Sequence, residues 1–204
     1  TAQIAGLSAA QIGAFTEDQA PVLTPAQAVA FKSFSSFKYD SSNPIVQNLS
    51  PQFVAAIPSK AFGAFTEDQL AAITPDQAKA ITSAQISSLT LAKVGKLDDN
   101  GDVLAALTPA AITGFTTANV SGFDMSKLTG DGQFAALSSA QVKALSNPQV
   151  LAITEDQAAV LSPAQAAGIK ASQATSITPA DIAVLKPATF AALSTAVISA
   201  LVDT

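Results

Sequence analysis

Apolar residues mark this chain at intervals of eight. Leu7, Phe15, Leu23 and Phe31 form one run, and Leu49, Ile57, Phe65, Ile73, Ile81, Leu89 and Leu97 a second. Leu107, Phe115 and Phe123 make a third, and Leu137, Leu145, Ile153, Leu161, Ile169, Ile177, Leu185, Leu193 and Leu201 a fourth. Randomly scattered apolar residues would lose phase well before the last anchor of that run. The spacing is an internal repeat, and a repeat of fixed period decides the architecture before any local pattern does.

The polar positions keep the same phase. Ser or Thr follows most anchors, as at Ser8, Thr66, Thr74, Thr82, Thr154 and Ser162, and Gln stands three residues later, at Gln11, Gln69, Gln77, Gln85, Gln157 and Gln165. S/T-x-x-Q is a capping box: the hydroxyl accepts from the N3 amide, and the Gln side chain reaches back to the cap amide. Between them stands Pro (Pro25, Pro75, Pro163, Pro179) or Glu (Glu17, Glu67, Glu155). Pro is preorganised for the first helical position, and Glu suits the positive end of the helix dipole. The apolar residues before the cap and after the Gln are placed to staple each helix to its predecessor. Each octad is therefore predicted as a helix of about one and a half turns. Helices this short do not persist alone, because nucleation is costly, and so they must stack.

The predicted fold class is all-α: a solenoid of very short capped helices with an eight-residue repeat. A β-solenoid is the alternative. Against it, Ala and Gln are poor strand formers, the apolar residues recur at intervals of three and five, and Pro would remove ladder donors. The organisation expected is a single continuous repeat domain over 1–204, with irregular loops near 32–48, 98–106 and 124–136. The latter two carry Asn-Gly and Asp-Gly turn steps.

Composition narrows the chemistry. The chain has no Cys and no His, which removes disulfides and the usual ligands of zinc, copper and iron. All ten cationic side chains are Lys, and the net charge is −5. Nucleic acid, whose binding needs clustered cations, is not an expected partner. A polar residue or Pro breaks every apolar run, so no membrane insertion is expected. Without His or Cys a nucleophilic triad is impossible. The sparse Lys read as solvated surface, and the TEDQ carboxylates as helix N-terminal charge.

Two constellations remain. Asp98, Asn100 and Asp102 space oxygen ligands as a calcium loop begins, but Val103 stands where Gly belongs and Pro109 where Glu should be. An Asx turn competes with a Ca²⁺ site there, and no other cofactor is implied. Phe34, Phe37 and Tyr39 fall off the main register and could form an exposed partner-binding patch, or pack beneath a loop. The chain opens at Thr1 in mid-pattern, as a processed or excised piece of a longer protein would.

LSAAQIGAFTEDQAPVLTPAQAVAF and ITEDQAAVLSPAQAAGI resemble the T-x-x-Q octapeptide tracts of large bacterial secreted and surface-anchored adhesin-like proteins, and the pattern covers most of the chain. LTPAQAVAF also resembles the opening of the DNA-reading repeats of plant-pathogen effectors, but those repeats are much longer and end in base-reading loops absent here. The surface-protein resemblance implies an extracellular or cell-surface location and a non-enzymatic structural or adhesion-type role, as spacer or presenting surface. A protein or cell-surface partner would fit that role, and uncovered terminal units would favour end-to-end self-association. The alternatives are a peptide-binding module using the solenoid face or the aromatic patch, and an ice- or glycan-binding β-solenoid with free hydroxyl rows.

Overall fold

Helices begin where the Ser and Thr caps stand. The computed structural model describes residues 2–31, 34, 36–38, 44–99 and 102–202. Its α-helical segments run from four to eight residues, from Ala2–Ala5 to Thr195–Val202, with short 3₁₀ and π segments among them. No strand occurs among the described residues, so the fold is the helical solenoid and not the β alternative. The ice- or glycan-binding reading falls with that alternative. The hydroxyls it needed are helix caps: Thr66 Oγ1 accepts from the Gln69 amide at 3.2 Å, and Thr154 Oγ1 from the Gln157 amide at 3.3 Å.

The chain forms two compact units, Thr1–Gly114 and Phe115–Thr204. Their boundary falls in an octad-regular stretch, where no change of composition marks it. Within each unit, a helix packs on the third helix along. In the first, Pro75–Ala78 meets Val103–Ala106, and Ser83–Ser87 meets Pro109–Ile112. In the second, Ser139–Ala144 meets Pro163–Ala166, and Asn147–Leu151 meets Ala171–Ala174. Three octads thus make one turn of the stack. The apolar anchors and the residues after the slot Gln fill the space between turns: Phe65, Ile73, Leu70 and Ile86 are all fully buried.

The irregular stretch at 124–136 is built of short helical turns. Asp124 accepts from the Ser126 amide and caps a 3₁₀ turn at Met125–Lys127. Gly130–Phe134 is a π-helix, with Phe134 N–H donating to Thr129 O at 2.9 Å and Ala135 N–H to Gly130 O at 3.1 Å. The extra residue in Thr129-Gly-Asp-Gly-Gln133 widens the turn by one residue, and Gln133 still accepts from the Thr129 amide at 2.9 Å. Leu91–Asp98 and Thr195–Val202, of eight residues each, run through their anchors Leu97 and Leu201 instead of stopping before them.

Small residues set the distance between turns. A Cβ on Gly168 would stand 2.5 Å from Ser139 O, and one on Gly114 would collide with the backbone of Ser83. Backbone cannot retreat as a side-chain tip can, so Gly168→Ala should lower stability by about 1–3 kcal/mol. A calorimetric melt checks this against Gly6→Ala, an exposed site where the added Cβ would come no closer than 3.6 Å to Gln3 O.

Candidate functional site

The third helical position, which carries the capping-box Gln, is where the chain's buried polarity is concentrated. The buried polar side chains among the described residues are Gln69, Gln77, Gln85, Asn119, Gln133, Gln141, Gln149, Gln157, Gln165, Gln173, Asp181 and Thr189, and each occupies that slot of its octad. Burying so many amides would be costly unless each were hydrogen-bonded.

Gln69, Gln77, Gln85, Gln141, Gln149, Gln157, Gln165 and Gln173 use both ends of the amide. Oε1 turns back into its own helix and accepts from the cap N–H, at 3.1 Å from Thr154 to Gln157 and 2.8 Å from Ser162 to Gln165. Nε2 points to the neighbouring turn of the stack and donates to two carbonyls there. Gln157 reaches Met125 O at 2.8 Å and Leu128 O at 2.7 Å, and Gln165 reaches Phe134 O at 3.1 Å and Leu137 O at 2.8 Å. In the first unit, Gln85 reaches Val54 O and Ile57 O, both at 2.8 Å, and Gln69 reaches Phe34 O and Phe37 O at 2.9 and 2.7 Å. In the helical turns the anchor carbonyl of each pair (Ile57, Leu128, Leu137) lies just past the helix, where no further turn exists to satisfy it, while its companion (Val54, Met125, Phe134) already accepts the anchor's own N–H. One side chain therefore caps the start of its own helix and the end of another.

The exceptions follow from side-chain chemistry. Lys170 has no hydroxyl, so its octad keeps only the Gln half of the box, from the Lys170 amide to Gln173 Oε1 at 2.7 Å. Lys93 holds the slot without an acceptor and donates from Nζ to Gly63 O at 2.6 Å. Thr189 makes one cross-turn bond, to Leu161 O at 2.7 Å. Asp181 accepts from the Thr178 amide at 2.8 Å but has no amide hydrogens to send across. An apolar cavity of about 30 Å³ opens there, lined by Val150, Ile153, Leu161, Ile177, Leu185 and Asp181 among others.

The residues singled out by sequence fare differently. Phe34 and Phe37 are buried, ring against ring at 5.4 Å, and Phe34 also meets Phe53 and Phe65. They are core, not an exposed patch, because the off-register segment folds its rings under the first unit. Tyr39 lies outside the described residues, as do Asn100 and the Asp98 side chain. Asp102 is exposed and makes no side-chain cap bond at the start of Val103–Ala106. Among the described residues, no three acidic side chains gather to hold a metal ion. Ion pairs join Lys79 to Asp76 and Lys96 to Asp99, both at 2.8 Å and on the surface. The hydrogen bond from Lys79, and then its charge, hold the Asp76 carboxyl below its ordinary range. That contribution is lost only as pH falls through the lowered folded value, and solvent screening keeps it small.

No protein-family model matches the chain, and no curated protein matches it.

The cross-turn role of Gln escaped the reading of the capping box, which accepts Glu as readily as Gln. The signal lay in the slot's composition: Gln recurs there and Glu never does, although Glu17, Glu67 and Glu155 stand two positions earlier. Only an amide offers an acceptor and two donors together.

Gln157→Ala should lower stability by about 2–5 kcal/mol, by leaving the Thr154 N–H and Leu128 O without partners and Met125 O with only the Leu128 N–H. Gln157→Glu keeps the acceptor and loses both donors. A carboxylate buried among carbonyls has its pKa raised, so protonation restores one donor. Its deficit in a chemical denaturation series should therefore be smallest near about pH 4 and grow as pH rises through the raised folded value. A pH-independent deficit would reject the donor argument. Phe34→Ala should lower stability by about 3–5 kcal/mol, as the emptying of a core site does.

Proposed function

We propose that the chain is a non-enzymatic structural repeat scaffold, a spacer or presenting surface of a secreted or cell-surface protein. The observation that carries this reading is that the buried polar repertoire serves the stack itself. The Gln amides are committed to cap N–H groups and cross-turn carbonyls, and many cap hydroxyls to helix amides. The cavity at Asp181 is apolar and has room for little more than water. The shallow surface depressions nearby are lined mainly by Ala, Ser and Gly in one case, and by acidic and small residues in the other, without a buried charged group in either. Chemistry at a reacting centre needs converging polar groups in a site that excludes water. Here that convergence is spent on holding turns together.

The likeness of LSAAQIGAF and ITEDQAAVL to surface-protein octapeptide tracts supports the location. No described helix is long and apolar enough to cross a membrane. An antibody raised against the folded chain should label intact cells of the source organism, or its culture medium. A signal confined to the cytoplasmic fraction would overturn the surface assignment.

A further inference from the structure

One slot of the second unit turns an acceptor toward acceptors. Asp181 is 6% exposed, and its Oδ2 takes the Thr178 amide at 2.8 Å and the Thr178 hydroxyl at 2.7 Å. That is the work of Gln Oε1 elsewhere, so Oδ1 stands on the side where a slot Gln carries Nε2. The flanking slots identify the carbonyls on that side. Gln173 reaches Val142 O and Leu145 O, 31 and 28 residues back, and Thr189 reaches Leu161 O, 28 residues back. The same offsets from Asp181 give Val150 O and Ile153 O, and its helix Pro179–Val184 packs on Glu155–Ala159, which follows them. Both turns of this junction lie inside the chain.

The junction lacks a donor. Asp181 Oδ1 and Ile153 O take no protein N–H or O–H among the described residues, and Val150 O takes only those of its own turn. A buried carboxylate ranged against carbonyls is costly unless a charged donor stands between them. The chain itself shows which donor its stack accepts at this position: Lys93 in the first unit sends an ammonium across to Gly63 O at 2.6 Å. At Asp181 there is also room. The adjoining apolar cavity of about 30 Å³ is lined in part by Ala158, which stands where Val142 and Val150 stand in earlier octads. A water needs about 10–15 Å³ of such space, so the cavity takes two water-sized groups.

We propose that Asp181 is the binding site of a small primary ammonium, of which methylammonium fits the space best. Its three N–H groups would donate to Asp181 Oδ1, Val150 O and Ile153 O, and its methyl group would enter the apolar cavity. Three acceptors, one of them charged, match three donors on one cation. The ion would stand where a slot Gln holds its amide nitrogen and would close the cross-turn contact that Asp181 cannot close alone. No other slot among the described residues sets a carboxylate there.

The test follows the thermal melt of the 204-residue chain as methylammonium chloride replaces tetramethylammonium chloride at constant ionic strength. Tetramethylammonium carries the same charge and no N–H. The midpoint should rise saturably, by about 3–6 °C once methylammonium exceeds its dissociation constant about tenfold. Asp181→Gln restores the amide that the other slots use, so the variant should fold, melt above the parent without added ion, and ignore methylammonium. Overhauser contacts from ¹³C-methylammonium to the Ala158 methyl group should place the ion in the parent and vanish in Asp181→Gln. Potassium, a small cation without N–H donors, should raise the midpoint less. A parent midpoint that ignores methylammonium, an equal rise in Asp181→Gln, or an equal rise with potassium would each overturn the proposal.

Discussion

Every feature of this fold depends on an amide side chain that bonds in two directions. A helix of four to six residues leaves most of its backbone groups without an intrahelical partner, since the first four N–H groups and the last four carbonyls of any helix are orphans. A chain built wholly from such helices would bury polar backbone throughout. The slot Gln answers both ends at once: Gln165 takes the Ser162 amide with its oxygen and gives its two hydrogens to Phe134 O and Leu137 O. The Ser or Thr hydroxyl takes one more N–H, and Pro at the first position removes a further donor that would otherwise need a partner. Helix length, turn spacing and the placement of Ala and Gly are consequences, because the amide reaches its carbonyls only when backbones lie close.

This explains what could be read from the sequence and what could not. The octad, the capping boxes at Thr74 and Ser162 and the helical nature of the stack were legible, because each is written in contacts within four residues. The number of octads per turn was not. It is fixed by bonds 26–35 residues apart, such as Gln141 to Phe115 O and Gln69 to Phe34 O, and nothing in a local pattern states that return distance. The π-turn at Gly130–Phe134 was read as a loop because Gly and Asp mark turns. In the fold, the cap-to-Gln relation matters more than local propensity and survives one inserted residue. Whether Phe34 and Phe37 form an exposed patch or pack beneath a loop stayed open because they stand off the register. Their burial answers to the space beside Phe53 and Phe65, which the octad count does not encode.

The departures show how far the arrangement tolerates loss. Thr189 keeps one cross-turn bond, Lys93 keeps one without serving its cap, and Asp181 keeps only the local half. A stack in which each turn touches only its neighbours sums its interface energies locally, so a weak junction need not unravel its neighbours. What such a junction loses is closeness of packing: the apolar cavity lies at Asp181, where the second half of the amide is missing.

The choice of Gln over Glu then carries the argument from fold to role. Within a single helix the two residues cap equally well, and Glu would add favourable charge near the dipole. A slot chosen for solubility or helix stability alone would hold Glu often. This one holds Gln at Gln69, Gln77, Gln85, Gln157 and Gln165, where the amide hydrogens go to carbonyls of the neighbouring turn.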